Sequence, residues 1–282
     1  MNEFPSWPEP KVMAIVNRTP DSFYDKGATF ALDKALARVD AAVADGASII
    51  DIGGVKAGPG DAVDAEAEIE RVVPTIAAVA TRHPDVIVSV DTWRAEVAEE
   101  AIKAGAGLIN DTWAGWDPEL VEVAGQHGVG YVCSHTGGIT PRTRPYRVHF
   151  DDVVADVIAE TTALAEKAVT CGVPESLTFI DPTHDFGKNT FHGLELLRRV
   201  DELVATGWPV LMALSNKDFI GETVGRAPKE RVAGTLAATA WAASKGVAAF
   251  RVHEVRETVD VIRMTRAIAG QEPPLDTVRG LA

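Results

Sequence analysis

The chain repeats one kind of unit eight times: a short β-branched run ending in a polar residue, then a stretch with apolar residues at helical spacing. The clearest case lies at 86–112. Val86-Ile87-Val88-Ser89-Val90-Asp91 reads as a strand, and the Ala/Glu-rich segment after it sets Val97, Ala101, Ile102 and Ala104 at helical spacing. Leu108-Ile109 then begins a second strand that ends in Asn110-Asp111. A crossover helix makes such strands parallel neighbours, so Asp91 and Asn110 should emerge side by side at one end of a sheet. Further strands are expected at Lys11 to Asn17, Ser48 to Ile52, Val129 to Cys133, Leu177 to Ile180, Val210 to Leu214 and Val247 to Phe250. Helices are expected at Leu32 to Gly46, Ala65 to Arg82, from Asp117, Asp151 to Cys171, His192 to Ala205, Lys229 to Lys245 and Glu254 to Ala269. Eight such units with no break in composition predict an α/β fold, a single (β/α)8 TIM barrel. An open doubly wound sheet is the runner-up, but no Gly-rich dinucleotide turn follows the first strand.

The polar strand ends are Asn17, Asp51, Asp91, Asn110, His135, Asp181, Lys217, and Arg251 with His253. One such residue is most often a helix cap or a turn. Eight around a ring, at the face where barrels place their sites, read instead as a ligand site. Asp91, Asn110, Asp181 and Lys217 offer carboxylate, amide and ammonium groups suited to a flat heterocycle with paired N–H donors. Arg251, His253 and Asn17 suit an anion or a phosphate-bound metal ion. No Ser/His/Asp triad, zinc-ligand spacing or phosphate-binding Gly loop is present. His184 and His192 lack metal spacing and are expected on the surface or in supporting positions.

Composition narrows the class. Of 282 residues, 46% are hydrophobic and 24% charged, without an apolar run long enough to span a membrane. The N-terminal MNEFPSWPEP lacks a basic start and an apolar core, so a cytoplasmic location is expected. Cys133 and Cys171 have no partnering motif and are expected as buried free thiols. A net charge of −14 argues against nucleic acid as a general partner. The expected organisation is a lead-in at 1–10, the barrel over 11–270 and a disordered tail at 271–282.

From about Val12 to Ile268 the chain resembles the dihydropteroate synthases. AIVNRTPDSF (14–23), DIGG with PG (51–60), SVDT (89–92), IND (109–111), FIDP with DFGK (179–188), Ser215 with Lys217, and RVH (251–253) carry the resemblance. Together these motifs are specific. The family displaces diphosphate from a hydroxymethyl-dihydropterin diphosphate with the amine of p-aminobenzoate. The resemblance implies that Asp91, Asn110, Asp181 and Lys217 hold the pterin. It likewise places the diphosphate on Asn17, Arg251 and His253, with Mg2+ at Asn17. It also implies a homodimer, with the segments Lys229 to Lys245 and Glu254 to Ala269 at the interface.

The departures from the family pattern fall where they matter. Its second loop reads Glu-Ser-Thr-Arg-Pro-Gly after the double Gly, whereas here Val55-Lys56-Ala57-Gly58 precede Pro59-Gly60. The resemblance implies that the missing Thr and Arg, at 57 and 58, shape the aminobenzoate subsite and the closed loops. Asn216 replaces an Arg, Ala213 a Gly on the pterin floor, and Thr183 and Asp185 two further glycines; Arg18 stands where an apolar residue is usual. Two lost loop side chains that act on the transition state would cost on the order of 10² to 10³ in rate each. The reading is a paralogue with synthase activity lost or very low, weakened affinity for the pterin diphosphate, no role in folate synthesis, and residual binding of a pterin-like or aryl-amine ligand. Two alternatives compete with it. One is an active synthase in which Lys56 and Arg18 compensate; the other is a pterin-dependent methyltransferase-like protein, which needs no diphosphate site.

Overall fold

The computed structural model describes residues 9–19, 31–143 and 148–279. Most of the lead-in, positions 20–30 of the first loop, 144–147 of the basic loop and 280–282 lie outside them.

Among the described residues, eight strands form one parallel sheet: β1 Lys11–Asn17, β2 Ile49–Gly53, β3 Ile87–Asp91, β4 Leu108–Asp111, β5 Gly130–Ser134, β6 Thr178–Asp181, β7 Leu211–Met212 and β8 Ala249–Val252. The hydrogen-bonded order runs β6-β5-β4-β3-β2-β1-β8-β7. A single bridge, Ile180 to Val210, closes the circle, helped by the Ile180 N–H donating to the Pro209 carbonyl at 2.9 Å. The fold is therefore the (β/α)8 barrel that the repeated units predict.

The helices are α1 Leu32–Ala44, α2 Ala65–Arg82, α3 Ala95–Lys103, α4 Leu120–His127, α5 Val153–Cys171, α6 Thr190–Arg198, α7 Val200–Val204, α8 Asp218–Val224, α9 Val232–Ser244 and α10 Val255–Ile268. Two expectations need correction. The helix expected from His192 to Ala205 is two helices, α6 and α7, separated by Arg199, whose ψ of 27° leaves the helical range. The stretch after Lys217, read as loop, contains α8, which is too short to show a period and ends at Gly225 with φ 66°.

The alternation of each strand divides the core in two. Val12, Ala14, Val16, Ile50, Ile52, Val88 and Val90 face the helices and join the large outer cluster. Their neighbours Met13, Ile49, Leu108, Val132, Phe179 and Leu211 fill the barrel floor. That apolar plug supports the polar residues two positions further along four of these strands, Asp51, Asn110, Ser134 and Asp181. Beyond α10, the chain from 271 to 279 has neither helix nor strand, although Glu272 pairs with Arg263 at 2.7 Å and Arg266 at 3.3 Å.

Helix packing sets one strict requirement. A Cβ on Gly125 of α4 would lie 2.0 Å from the Cys171 carbonyl oxygen at the end of α5. The obstacle is backbone, so it cannot rotate away. Gly125→Ala is expected to destabilise the fold by about 1–3 kcal/mol, measured by urea denaturation. An unchanged midpoint would show that the two helices are not in close contact.

Candidate ligand site at the carboxyl end of the barrel

Above the floor, the axis-facing files of β2, β4, β6 and β8 continue with Asp51, Asn110, Asp181 and Arg251. Asp51 is fully buried and is the hub. It accepts hydrogen bonds from Ser89 Oγ at 2.6 Å, Asn110 Nδ2 at 3.1 Å and Arg251 Nε at 2.6 Å. The same guanidinium reaches Asp91 Oδ2 through Nη2 at 2.7 Å, and Thr112 donates to the other Asp91 oxygen at 3.2 Å. Burial raises the Asp91 pKa above the usual carboxylate range, and Arg251 opposes the rise. Asp181 is pushed up to about 6 by burial, against the Thr183 N–H, Lys217 and Lys188.

Above this layer a depression opens with two lobes that share Asn17, Asp185, Lys217, Asp218, Arg251 and His253. The smaller measures about 210 Å³ and the wider about 600 Å³. Of the expected ligand residues, Asn17, Asp91, Lys217, Arg251 and His253 line a lobe directly. Asn110 and Asp181 lie buried beneath. His253 is held to about 3 by burial, then by Arg251, Lys217 and Arg38, so its imidazole is neutral at ordinary pH.

His135 does not join the ring. It follows Ser134 on the opposite side of the alternation, and its Nε2 meets Asp156 at 2.7 Å and Glu160 at 3.3 Å on α5. These three residues bring candidate metal-ligand atoms within 4.8 Å of one another. Lys188 occupies the other ring nitrogen of His135 at 2.8 Å and also donates to the carbonyls of His135, Thr183 and Phe186 at 3.1–3.2 Å. A cation there leaves Nε2 as the N–H donor to the carboxylates, so the group is an ion-pair relay rather than a metal centre. Burial holds the Lys188 pKa to about 7. The sequence reading also missed Asp51 as hub and Lys188 as a lining residue. Asp51 was legible in principle, because it shares the axis-facing parity of Ile49.

The departures occupy definite places. Val55 packs against the cluster of Trp93, Trp113 and Ile139, while Lys56, Ala57 and Gly58 line the wide lobe. Ala213 lines the smaller one. Asp185 forms an ion pair with Lys217. Asn216 has φ 57°; its side-chain nitrogen donates to Glu254 at 2.8 Å and its carbonyl accepts from Arg231 at 2.8 Å. Thr183 has φ 49°, a left-handed conformation that is a genuine outlier for a β-branched residue. Its N–H donates to Asp181 at 2.7 Å and its hydroxyl accepts the His135 N–H at 3.2 Å. Arg18 is buried and donates to the Arg71 carbonyl of α2 at 3.0 Å. His184 is buried as well, not on the surface, and His192 caps α6 reciprocally with Asn189.

Mg2+ takes oxygen ligands, including waters and substrate phosphates beside one or two carboxylates. Among the described residues of the smaller lobe, which Asn17 lines, the carboxylate Asp185 is engaged by Lys217 and Asp218 by Arg231.

A closed parallel barrel with a buried acid–guanidinium hub under a two-lobed cavity defines a small-molecule-binding (β/α)8 protein. Residues 13–253 match the pterin binding enzyme family, and the chain belongs to it. It is 61% identical to a protein of Mycobacterium leprae named inactive dihydropteroate synthase 2, over 96% of this chain and 94% of that one. It is 39% identical to the dihydropteroate synthase of Bacillus subtilis, over 91% and 88% of the two chains. The Yersinia pestis dihydropteroate synthase solved with a sulfonamide drug superposes with a TM-score of 0.87 at 35% identity, covering 95% of this chain and 96% of that one.

Asp181 gives a direct check on the electrostatics. Its unfolded pKa lies near the ordinary 3.8 and its folded pKa near 6, so between those values the folded state binds more protons. Stability from this group is fully present below the lower value and falls as pH rises through the window. Carboxyl carbon NMR should place the Asp181 midpoint near 6. Asp181→Asn should flatten the stability profile across that window. A midpoint near the ordinary value would show that the carboxylate is solvated.

Proposed function

We propose that this chain is a dihydropteroate synthase homologue without significant synthase activity, which binds the pterin diphosphate weakly if at all and does not serve folate synthesis. The ion pair between Lys217 and Asp185 carries the reading. The ammonium expected to hold the pterin is engaged from within by a residue where the family has glycine. A ligand must break that pair before Lys217 can serve it. The loop adds to this, since Ala57 and Gly58 present no side-chain donor to the wide lobe. With the neutral His253, the smaller lobe offers a diphosphate less positive charge than its residue names imply. An active synthase compensated by Arg18 is disfavoured, because that side chain is directed at α2.

The proposed assembly is a cytoplasmic homodimer. Trp241 on α9 and Met264 and Ile268 on α10 are exposed large apolar residues on helices packed against each other. No helix among the described residues is long and apolar enough to cross a membrane.

Calorimetric titration with 6-hydroxymethyl-7,8-dihydropterin diphosphate, with and without Mg2+, should be paired with a synthase assay on the wild type and Asp185→Gly. The wild type is expected to show no turnover and weak, Mg2+-indifferent binding. Asp185→Gly should bind at least about tenfold tighter, the equivalent of 1.4 kcal/mol, by releasing Lys217. Wild-type turnover near that of an ordinary synthase would overturn the reading. Light scattering should give a dimer mass that Met264→Glu with Ile268→Glu reduces to a monomer, and a monomeric wild type would remove the dimer.

A further inference from the structure

Lys188 differs from Lys217 and Arg251, which line the wide lobe with it, in what surrounds its charge. Lys217 pairs with Asp185, and Arg251 with Asp51 and Asp91. Lys188 forms no ion pair among the described residues. Its Nζ meets His135 Nδ1 at 2.8 Å and donates to the carbonyls of His135, Thr183 and Phe186 at 3.1–3.2 Å. Burial, and then Lys188, hold the His135 ring to about 4, so all four acceptors are neutral at ordinary pH. An ammonium enclosed in this way has hydrogen bonds but no counter-charge in contact, and its proton is held loosely.

Two carboxylates act on it from outside the lobe. Across the His135 ring, Nε2 meets Asp156 at 2.7 Å and Glu160 at 3.3 Å. These acids stand one turn apart on α5, with side chains 43% and 49% exposed. Asp181 at the end of β6 and Asp185 on the loop before Lys188 complete the carboxylates that face it. The His184 imidazole on that loop is neutral, held to about 3 by burial, and His192 on α6 stands beyond the Phe150 ring. Burial brings Lys188 to about 7, opposed by Asp181, Glu160, Asp156 and Asp185 in that order. The balance between ammonium and amine is therefore set partly from the outer surface of the barrel.

We propose that the wide lobe takes up an organic anion together with a proton, which Lys188 accepts, and that Asp156 and Glu160 tune this uptake through His135 from outside the lobe. The coupling needs no direct contact. Lys188 belongs to the wall of the lobe, and a negative charge entering that space favours its charged form. Trp113 and Phe186 on the same wall suit an aromatic carboxylate. The inference rests on the reading of this lobe as a residual ligand site, to which it adds the proton. Lys188 is charged below about 7 in the free protein, and a bound anion moves that point upward. Affinity is therefore full below about 7 and falls as the pH rises through the interval between the free and bound values.

Benzoate and benzamide share a shape and carry charges of −1 and 0. Calorimetric titration of each into the full-length protein, in buffers of differing ionisation enthalpy, counts the protons taken up. Near pH 7.5 benzoate is expected to take up about half a proton, and to bind at least about fivefold tighter at about pH 6.5 than at about pH 8.5. Benzamide should take up none and give a flat profile. Lys188→Met should abolish the uptake. Asp156→Asn with Glu160→Gln, at exposed positions, should move the benzoate profile to lower pH, and this double variant carries the test if Lys188→Met does not fold. Uptake that persists in folded Lys188→Met would assign the proton to Asp91 or Asp181 and overturn the proposal. A profile unmoved by the double variant, or equal uptake with benzamide, would overturn it too. Benzoate binding that is independent of pH sinks the proton linkage alone, whereas no benzoate binding at any pH removes the residual-site reading as well.

Discussion

One guanidinium organises the upper half of the barrel. Arg251 on β8 reaches Asp51 on β2 and Asp91 on β3, so a single side chain ties three strands across the axis. An unpaired charge at this depth would be prohibitive, and removing one member would leave the others uncompensated. Ser89 and Asn110 satisfy further lone pairs of Asp51, which completes the network. The polar layer thus holds the strand ends in register whatever lies above it. It is a structural constraint first, and a ligand site only for those groups that still face the cavity.

That division explains which residues can change without loss of the fold. Asp51, Asp91, Asn110 and Arg251 depend on one another, so altering one would strand the rest. The rim depends on much less. Val55 to Gly58 lie on a loop outside the strand-end network, so Ala57 and Gly58 there remove no member of it. Thr183 illustrates the opposite limit. It keeps a backbone conformation natural to glycine, at a cost of order 1–3 kcal/mol, offset by its contacts to Asp181 and the His135 N–H. The conformation belongs to the fold, and the side chain was accommodated within it.

The barrel was legible in the sequence because its signal is local and repeated: β-branched runs, helical periods and polar strand ends. The ring residues followed from the polar strand ends, which is why Asp91, Asn110, Asp181 and Arg251 were legible as parts of one ring. His135 was misplaced by a single step of the strand alternation, where strand geometry ends and parity no longer decides. α8 was too short for a period. The partnership of Lys217 with Asp185 was not legible at all, since the two residues stand on different loops and are joined only by closure of the barrel. Sequence indicated that Asp185 was acidic and near the mouth, but not which cation it would meet.

Charge pairing at the mouth gives the site its present character. Asp185 engages Lys217, Asp218 engages Arg231, and Arg251 is shared by two carboxylates beneath. Each pairing removes part of the field that would attract a polyanion, and each is made within the protein without a ligand. A site built for a diphosphate needs its cations available and its acids distant. This one has its acids placed against its cations, with rings and a neutral imidazole lining the space between. The same barrel and the same buried hub therefore lie beneath a mouth whose charges are largely paired within the protein.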